Sequence, residues 1–539
     1  MMTPAGKDTI IAGEGAAFAA PPPLFRAARA GSAIGLSTIA ALLVGFLLQL
    51  TIAYRFGAGS NTDAFFMAQG TSELLAKILL GGSLTSVFLP VFVDHLAHGR
   101  PEKAWNLANH LFHLAAILFL ITLSTLMLFT DQLVSVIAPG FPAATHDTTV
   151  RLLRIMLPAF FFAMLTDLAI AILHSFRVFG IPSISRLIVP LLSLLLVLTA
   201  AERYGIVVLA VGTLLGATVQ IMLIFRALFR SGFRYTPALS FRDADVRRVL
   251  SLVAPFALSV LAAQGAGVVY RILVSHFPEG SLSVLKFGEK IFQMTNTLFL
   301  SSITTVVFPA LSRAVAERAW EETRKTMRQA VRLMVFFGVP LTVGMMFLRE
   351  PLVRLLYERG SFTAEDTAVT AAVLGLLLLG LVANGIGSLL GHLALALKAT
   401  RISVFATIGT QLASILLFFL LASRLGIRGF ALASAISPFI LVALYMVLLR
   451  KQVARVWNIL ADPTLLKFIV SGVALSVGVA VGTRLTGGGG DHSLPDIVIL
   501  TVSAGLGSLA YIGSAWALGI PEIRIVREIV YYALRRFRQ

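Results

Sequence analysis

Cysteine is absent from all 539 residues, which excludes disulfides, thiolate catalysis and cysteine-held metals. Charge is scarce as well. Only 13% of residues are charged while 57% are hydrophobic, and the mean hydropathy is +0.89. A soluble chain of this length would divide into several domains with about twice that charge. Acids are the scarcer sign, 26 against 44 basic residues. No phosphate loop ending in Gly-Lys-Ser/Thr, no His-Glu-x-x-His and no Gly-x-Ser-x-Gly occurs. Nine histidines are scattered without metal-ligand spacing. The chain therefore reads as neither an enzyme nor an ATPase, with no cofactor and no metal. Energy for any work is left to a coupling ion, the membrane potential or a substrate gradient.

What is present is long hydrophobic runs. Apolar stretches of about 20 residues cross a bilayer as helices, because the backbone must satisfy its own hydrogen bonds there. The sequence predicts fourteen: 33–54, 65–94, 107–129, 150–174, 181–200, 205–228, 248–275, 283–311, 331–348, 367–396, 402–423, 427–449, 466–485 and 495–519. The first is read as a retained helix and not a signal peptide, since no cleavage pattern follows Pro21, Pro22 and Pro23. Gly81 and Gly82 offer a kink or a close-packing point in the second span.

Basic residues set the orientation. Arg26, Arg29, Arg100, Lys103, Arg234, Arg247, Arg324, Lys325, Arg450, Arg535 and Arg536 fall in alternate loops, while residues 130–149 hold Asp131 and Asp147 and no Lys or Arg. Both termini are expected in the cytoplasm. The net charge of +18 is spread over many short loops rather than one face, so no nucleic-acid partner is expected.

The two halves echo each other. Ser83-Leu-Thr-Ser-Val-Phe-Leu-Pro90 aligns with Ser302-Ile-Thr-Thr-Val-Val-Phe-Pro309, and Tyr204-Gly-Ile-Val-Val-Leu-Ala210 with Leu425-Gly-Ile-Arg-Gly-Phe-Ala431. Repeats of this kind mark transporters that rock about a central site. The expected division is a cytoplasmic segment 1–31, a six-helix lobe 32–230, a second lobe 231–451, two further helices in 452–520 joined by Gly487–Gly490, and a basic cytoplasmic tail 521–539.

Charge inside the spans marks the candidate site, because each buried charge costs about 2.5–3.5 kcal/mol on insertion scales and so needs a cavity or a partner. Glu73 and Lys77 lie four apart in span two. Arg271 lies in span seven. Lys286, Glu289 and Lys290 cluster in span eight, with Gln293 and Asn296 on the following turns. Glu73 with Lys77 could be a self-neutralising pair, and Lys286 and Arg271 could snorkel to an interface. Asp167, alone in span four, suits either a packing hydrogen bond or ion coupling. Asp63 is expected to cap its own helix. A cleft rich in cations suits an anionic ligand, and apolar surroundings suit a lipid tail. A lipid with a phosphate-linked head meets both demands.

Several segments then resemble one family. Phe56-Gly-Ala-Gly59 with Thr62-Asp-Ala-Phe-Phe66, Pro278-Glu-Gly-Ser-Leu-Ser283, Phe308-Pro-Ala-Leu-Ser-Arg313 and Leu356-Tyr-Glu-Arg-Gly-Ser-Phe-Thr-Ala-Glu-Asp-Thr367 resemble the MurJ/MviN family of the MOP flippase superfamily. The resemblance covers about residues 32–520. It implies an all-α membrane protein with a MATE-like fold, two pseudo-symmetric six-helix lobes and two C-terminal helices that build a groove for a polyprenyl tail. It implies a polyprenyl-linked glycolipid as partner, lipid II or an exopolysaccharide repeat unit, moved between leaflets of the bacterial cytoplasmic membrane by a protein expected to be a monomer. The family's arginine positions carry Leu42, Leu48 and Ala76 here, with Lys77 and Lys290 as remaining cations. A MATE-type antiporter of small molecules and a non-transporting scaffold for envelope assembly stay open as alternatives.

Topology is directly testable. Reporter fusions after Asp147 and after Arg248 should fall on opposite sides of the membrane. Both on one side would defeat the fourteen-span arrangement.

Overall fold

A computed structural model describes residues 24–80, 83–236, 246–247, 251, 264–450, 462–486 and 494–524. Among these residues only helices are found. The first half runs α1 (Leu24–Phe56), α2 (Ser60–Leu80), α3 (Ser83–Ala97), α4 (Pro101–Leu128), α5 (Thr130–Ile137), α6 (Ala143–Ser175), α7 (Gly180–Ser185), α8 (Ile188–Tyr204) and α9 (Val207–Arg230). The second runs α10 (264–275), α11 (Ser281–Thr295), a π-helical turn (Asn296–Ser301), α12 (Ser302–Ala316), α13 (Trp320–Phe347), α14 (Arg349–Tyr357), α15 (Ala364–Leu378), α16 (Leu381–Ala396) and α17 (Thr400–Leu449). A final pair, α18 (Thr464–Leu485) and α19 (Asp496–Ala517), follows. The Gly81–Gly82 kink, the Gly487–Gly490 loop, most of the seventh span and the tail from 525 lie outside the described residues.

The repeat is written in the backbone. Left-handed turns at Gly57, Gly99, Arg177 and Gly205 recur at Gly280, Arg318, Lys398 and Gly426, about 220 residues later each time. Gly205 (φ 60°, ψ −148°) and Gly426 (φ 57°, ψ −136°) adopt almost the same conformation, and both head the second stretch of sequence similarity. Few side chains tolerate that region, which is why glycine occupies both positions. Helices α4 and α13 each have 28 residues.

Among the described residues, ten helices are long and apolar enough to cross a membrane, or eleven when the bent pair α15–α16 is taken as one span. The 50 residues of α17 would reach about 75 Å as one rod, more than twice the hydrocarbon core. Gly426 instead reverses the chain: Phe418 stacks on Phe430 with centroids 4.3 Å apart, and Ser414 Oγ meets Ser437 Oγ at 2.8 Å. These contacts split α17 into the eleventh and twelfth expected spans. The second expected span, 65–94, starts five residues earlier, at Ser60, and is described as α2 and α3 on either side of Gly81 and Gly82. The tenth is bent by 44° between α15 and α16, where Gly380 presses on the carbonyl of Ala435; an added Cβ would lie 2.8 Å from that oxygen. The eighth is interrupted by the π turn, a feature that concentrates at functional sites.

The hairpin α18–α19 packs on α13 and α14 and is pinned at both ends. At one end Arg354 Nη1 donates to Asp496 Oδ1 at 3.2 Å. At the other, Arg332 Nη2 donates to Glu522 Oε2 at 3.2 Å, and Asp462 lies 3.7 Å from Nη1. Burial disfavours ionised Asp462, but donors from Thr464 and the charges of Arg332 and Arg328 outweigh it and hold the carboxyl below its ordinary value. A depressed carboxylate stabilises the fold above its unfolded pKa and loses that contribution on acidification, so this pin holds at neutral pH.

Arg332→Met leaves Glu522 buried without its counter-charge and takes one of two cations from Asp462, a loss of up to about 3–5 kcal/mol. Thermal unfolding of the solubilised protein should show a clear drop in Tm, partly restored by adding Glu522→Gln. An unchanged Tm would mean that the pin carries no stability.

Candidate functional site

Two features build the site: a seal between the lobes and a cavity beneath it. The seal lies where α1 turns into α2. Helix α11 begins at Gly280 with no cap of its own, leaving its first N–H groups without helical partners. Asp63, from α2 of the opposite lobe and 3% exposed, supplies them: its Oδ2 accepts from Gly280 N at 2.7 Å and its Oδ1 from Ser283 N at 2.7 Å and from Ser283 Oγ. Asp63 was expected to cap its own helix and caps this one instead, because α11 presents a free N-terminus and a positive dipole end to it. The converse holds at α1, whose last carbonyls lack partners. Ser361 N donates to Tyr54 O at 2.9 Å, and Ser361 Oγ donates to Arg55 O at 3.1 Å. The α14–α15 loop that carries Ser361 is held by a capping box, in which Thr363 and Asp366 bond each other's backbone N–H. Gly57 and Gly360 make this approach possible, since a Cβ on either would lie 2.3 Å from a backbone oxygen of the other lobe. Gly140 N to Ser275 Oγ (3.1 Å) and Thr145 Oγ1 to Glu279 Oε1 (3.2 Å) extend the seam.

Below the seal lies an apolar plug. Phe66 meets Phe287 edge-on at 5.7 Å, and Phe287 packs on Tyr357 at 5.0 Å and Phe362 at 5.4 Å. Beneath the plug is a polar cavity of about 230 Å³ lined by Gln49, Phe66, Gln69, Gly70, Glu73, Arg271, Lys286, Glu289, Lys290 and Gln293. Of the expected site residues it gathers Arg271, Lys286, Lys290, Glu73, Glu289 and Gln293. Lys77 is exposed on α2 outside this lining, Asn296 starts the π turn outside it, and Asp167 lies on α6 with Arg186 as its electrostatic neighbour.

The charges have distinct partners. Lys286 Nζ donates to Glu289 Oε2 at 2.7 Å and sits 5.0 Å from the Tyr270 ring centroid, while Tyr270 donates to Glu289 Oε1 at 3.1 Å. That triad neutralises itself. Glu73 accepts from Gln69 Nε2 at 3.2 Å rather than pairing with Lys77, as its spacing suggested. Arg271 crosses the seam to donate to Gly70 O and donates to Gly267 O of its own helix at 2.6 Å. Lys290 has no hydrogen bond or ion pair among the described residues. The positive charge left for a ligand is that of Lys290 and part of Arg271. Gln49 and Gln69 add amide groups; they carry no charge, so no cost of insertion marked them in the sequence.

A second, apolar cavity of about 400 Å³ lies between α13, α14 and the α18–α19 hairpin, lined by Phe299, Phe337, Leu341, Leu475, Leu500 and neighbours. Phe299 and Gln293 belong to the same continuous helical stretch six residues apart, about 9 Å along an axis.

The family model described as Lipid II flippase MurJ matches residues 52–489. Among curated relatives, the probable lipid II flippase MurJ of Rickettsia prowazekii (strain Madrid E) is 25% identical over 414 residues, 76% of this chain and 81% of that protein. The probable lipid II flippase MurJ of Rhizobium tropici is 26% identical over 522 residues, 92% and 95% of the two. Among solved structures, a lipid II flippase MurJ in an inward closed conformation superposes with TM-score 0.77 at 22% identity, covering 90% of this chain and 98% of that one. An inward-facing multidrug resistance MATE transporter of the MOP superfamily gives 0.65 at 17% identity, covering 77% and 94%. At such identities the structures speak for the fold.

The seal can be tested with a single thiol, because the chain has none of its own. Asp63→Ala leaves three donors unpaired, each worth about 1.5–3 kcal/mol when bonded to a charge. Gln69→Cys, in the cavity, should react with an impermeant maleimide added outside spheroplasts at least about tenfold faster in the Asp63→Ala background. Equal rates would remove Asp63 from the seal.

Proposed function

The chain belongs to the lipid II flippase MurJ family, and from that membership we propose that it moves the polyprenyl-pyrophosphate-linked peptidoglycan precursor from the inner to the outer leaflet by alternating access. Family membership and its many long apolar helices make it a multi-pass protein of the bacterial inner membrane. In the proposed orientation both termini are cytoplasmic, the seal faces outward and the cavity receives its load from inside.

One observation carries the reading: a cavity with three basic residues against two acids shares a helix with an apolar groove at Phe299. Lys290 and Arg271 offer charge-assisted donors to a pyrophosphate, the glutamines offer amides to a glycan, and the groove takes the polyprenyl tail. Hinged lobes exchange the side on which the cavity opens. A small organic cation would meet net positive charge, which speaks against the drug-antiporter alternative, and a scaffold has no use for the cavity. The absence of arginine at Leu42, Leu48 and Ala76 favours one second reading, a flippase for another polyprenyl-pyrophosphate-linked glycan.

Expression in a strain depleted of its own lipid II flippase separates the two readings. Growth rescue supports lipid II as substrate. Failure of a well-inserted protein points to another glycan. Lys290→Ala removes an interaction of about 1.5–3 kcal/mol and should weaken binding of the pyrophosphate head roughly ten- to a hundredfold, whereas Lys290→Arg should retain it. Transport that survives Lys290→Ala undiminished would place the head group elsewhere.

A further inference from the structure

The bond between Arg271 and Gly70 joins the two lobes next to the cavity, and its chemistry makes it exchangeable. Arg271 belongs to α10 of the second lobe. It reaches α2 of the first only because position 70 has no side chain: a Cβ there would lie 2.9 Å from Nη2. The acceptor is a neutral carbonyl in mid-helix. A helical carbonyl can accept a second bond through its other lone pair, but it lacks the opposite charge and the bidentate acceptor geometry with which a phosphate holds a guanidinium. Arg271 has five N–H groups, of which two are engaged, on Gly70 O and Gly267 O. Its side chain lines a cavity that also holds Lys290, which no acidic side chain pairs with among the described residues. Lys286 cannot play this part, since Glu289 and Tyr270 already claim it. Lys290 also comes close to the first lobe, its Nζ 3.5 Å from where a Cβ on Gly45 would be, yet it finds no acceptor there.

We propose that Gly70 O is a resting acceptor that a pyrophosphate oxygen displaces, so that loading the cavity breaks the α2–α10 tie and lowers the cost of parting the seal above it. Arg271 is then both a ligand of the head group and the strut that its arrival removes. Glu73, one turn beyond Gly70 and an electrostatic neighbour of both Arg271 and Lys290, holds the cations in the empty cavity. The proposal rests on the flippase reading and adds to it the reason why an empty carrier stays closed to the outside.

The test uses the full-length protein, inorganic pyrophosphate as the probe and sulfate at equal ionic strength as the control. Spin labels on Asn61→Cys in α2 and Glu365→Cys in α15, both exposed and on opposite sides of the seam, report its opening by pulsed dipolar spectroscopy. Pyrophosphate should lengthen the distance and sulfate should not. Gly70→Ala keeps the charge but evicts the guanidinium from the carbonyl. It should lengthen the distance without ligand and tighten pyrophosphate binding, roughly two- to tenfold, because a competitor is gone. Arg271→Gln should also open the resting seam but weaken binding at least about tenfold. Arg271→Lys, a milder change at the same place, should open the seam at rest and bind with intermediate affinity. Weaker binding in Gly70→Ala, a resting distance unchanged in both Gly70→Ala and Arg271→Lys, or equal response to sulfate overturns the proposal. A pyrophosphate-insensitive seam in a protein that still rescues the depleted strain overturns the coupling alone. Failed rescue with the pyrophosphate response intact defeats only the lipid II reading.

Discussion

Helix ends that the chain does not cap for itself hold the two lobes together. An α-helix leaves four N–H groups and four carbonyls without partners, and most soluble helices satisfy them locally. Here α11 takes its cap from Asp63 of the other lobe, and α1 gives its last carbonyls to Ser361. The exchange is reciprocal, acid to N-terminus in one direction and donors to C-terminus in the other, so each lobe completes the other's helix. Water can replace every one of these bonds when the seam parts. A seal of this kind is specific in geometry yet modest in net strength, as an alternating carrier requires.

The scaffold is nearly symmetric and its charge is not. Backbone turns repeat almost residue for residue, but all three cavity cations come from α10 and α11 of the second lobe, while the first contributes Glu73 and two glutamines. An anionic head group would therefore be gripped by one lobe and only flanked by the other. On the proposed function, that asymmetry would give the two lobes different roles, one holding the load and the other closing over it.

The hairpin α18–α19 belongs mechanically with the second lobe. Arg354 and Arg332 fix its two ends, so the apolar groove moves with α13 and with the cations of α11. On the proposed function, head and tail of a long lipid would then travel on one body, and the seam with the first lobe would be the interface that parts.

Hydrophobic run length and charge scarcity were enough to read the helical membrane class and six of the cavity residues, because those properties are local: a backbone in lipid has few options, and a charge there needs a reason. The repeat was legible separately, in two pairs of matching segments. The family motifs were equally legible, though not what they do; Leu356–Thr367 looks like any loop until Ser361 is seen on the end of α1. The pairings were not legible. Spacing joined Glu73 to Lys77, whereas the fold gives Glu73 to Gln69 and leaves Lys77 outside the cavity. Asp63 read as a local cap and serves a helix 217 residues away. Gln49 and Gly70 gave no signal, the one uncharged and the other without a side chain. Sequence by itself determined which groups must escape the lipid. Which partner each escapes to depends on the rotation of the helices and on contacts across the seam, and only the tertiary structure decided that.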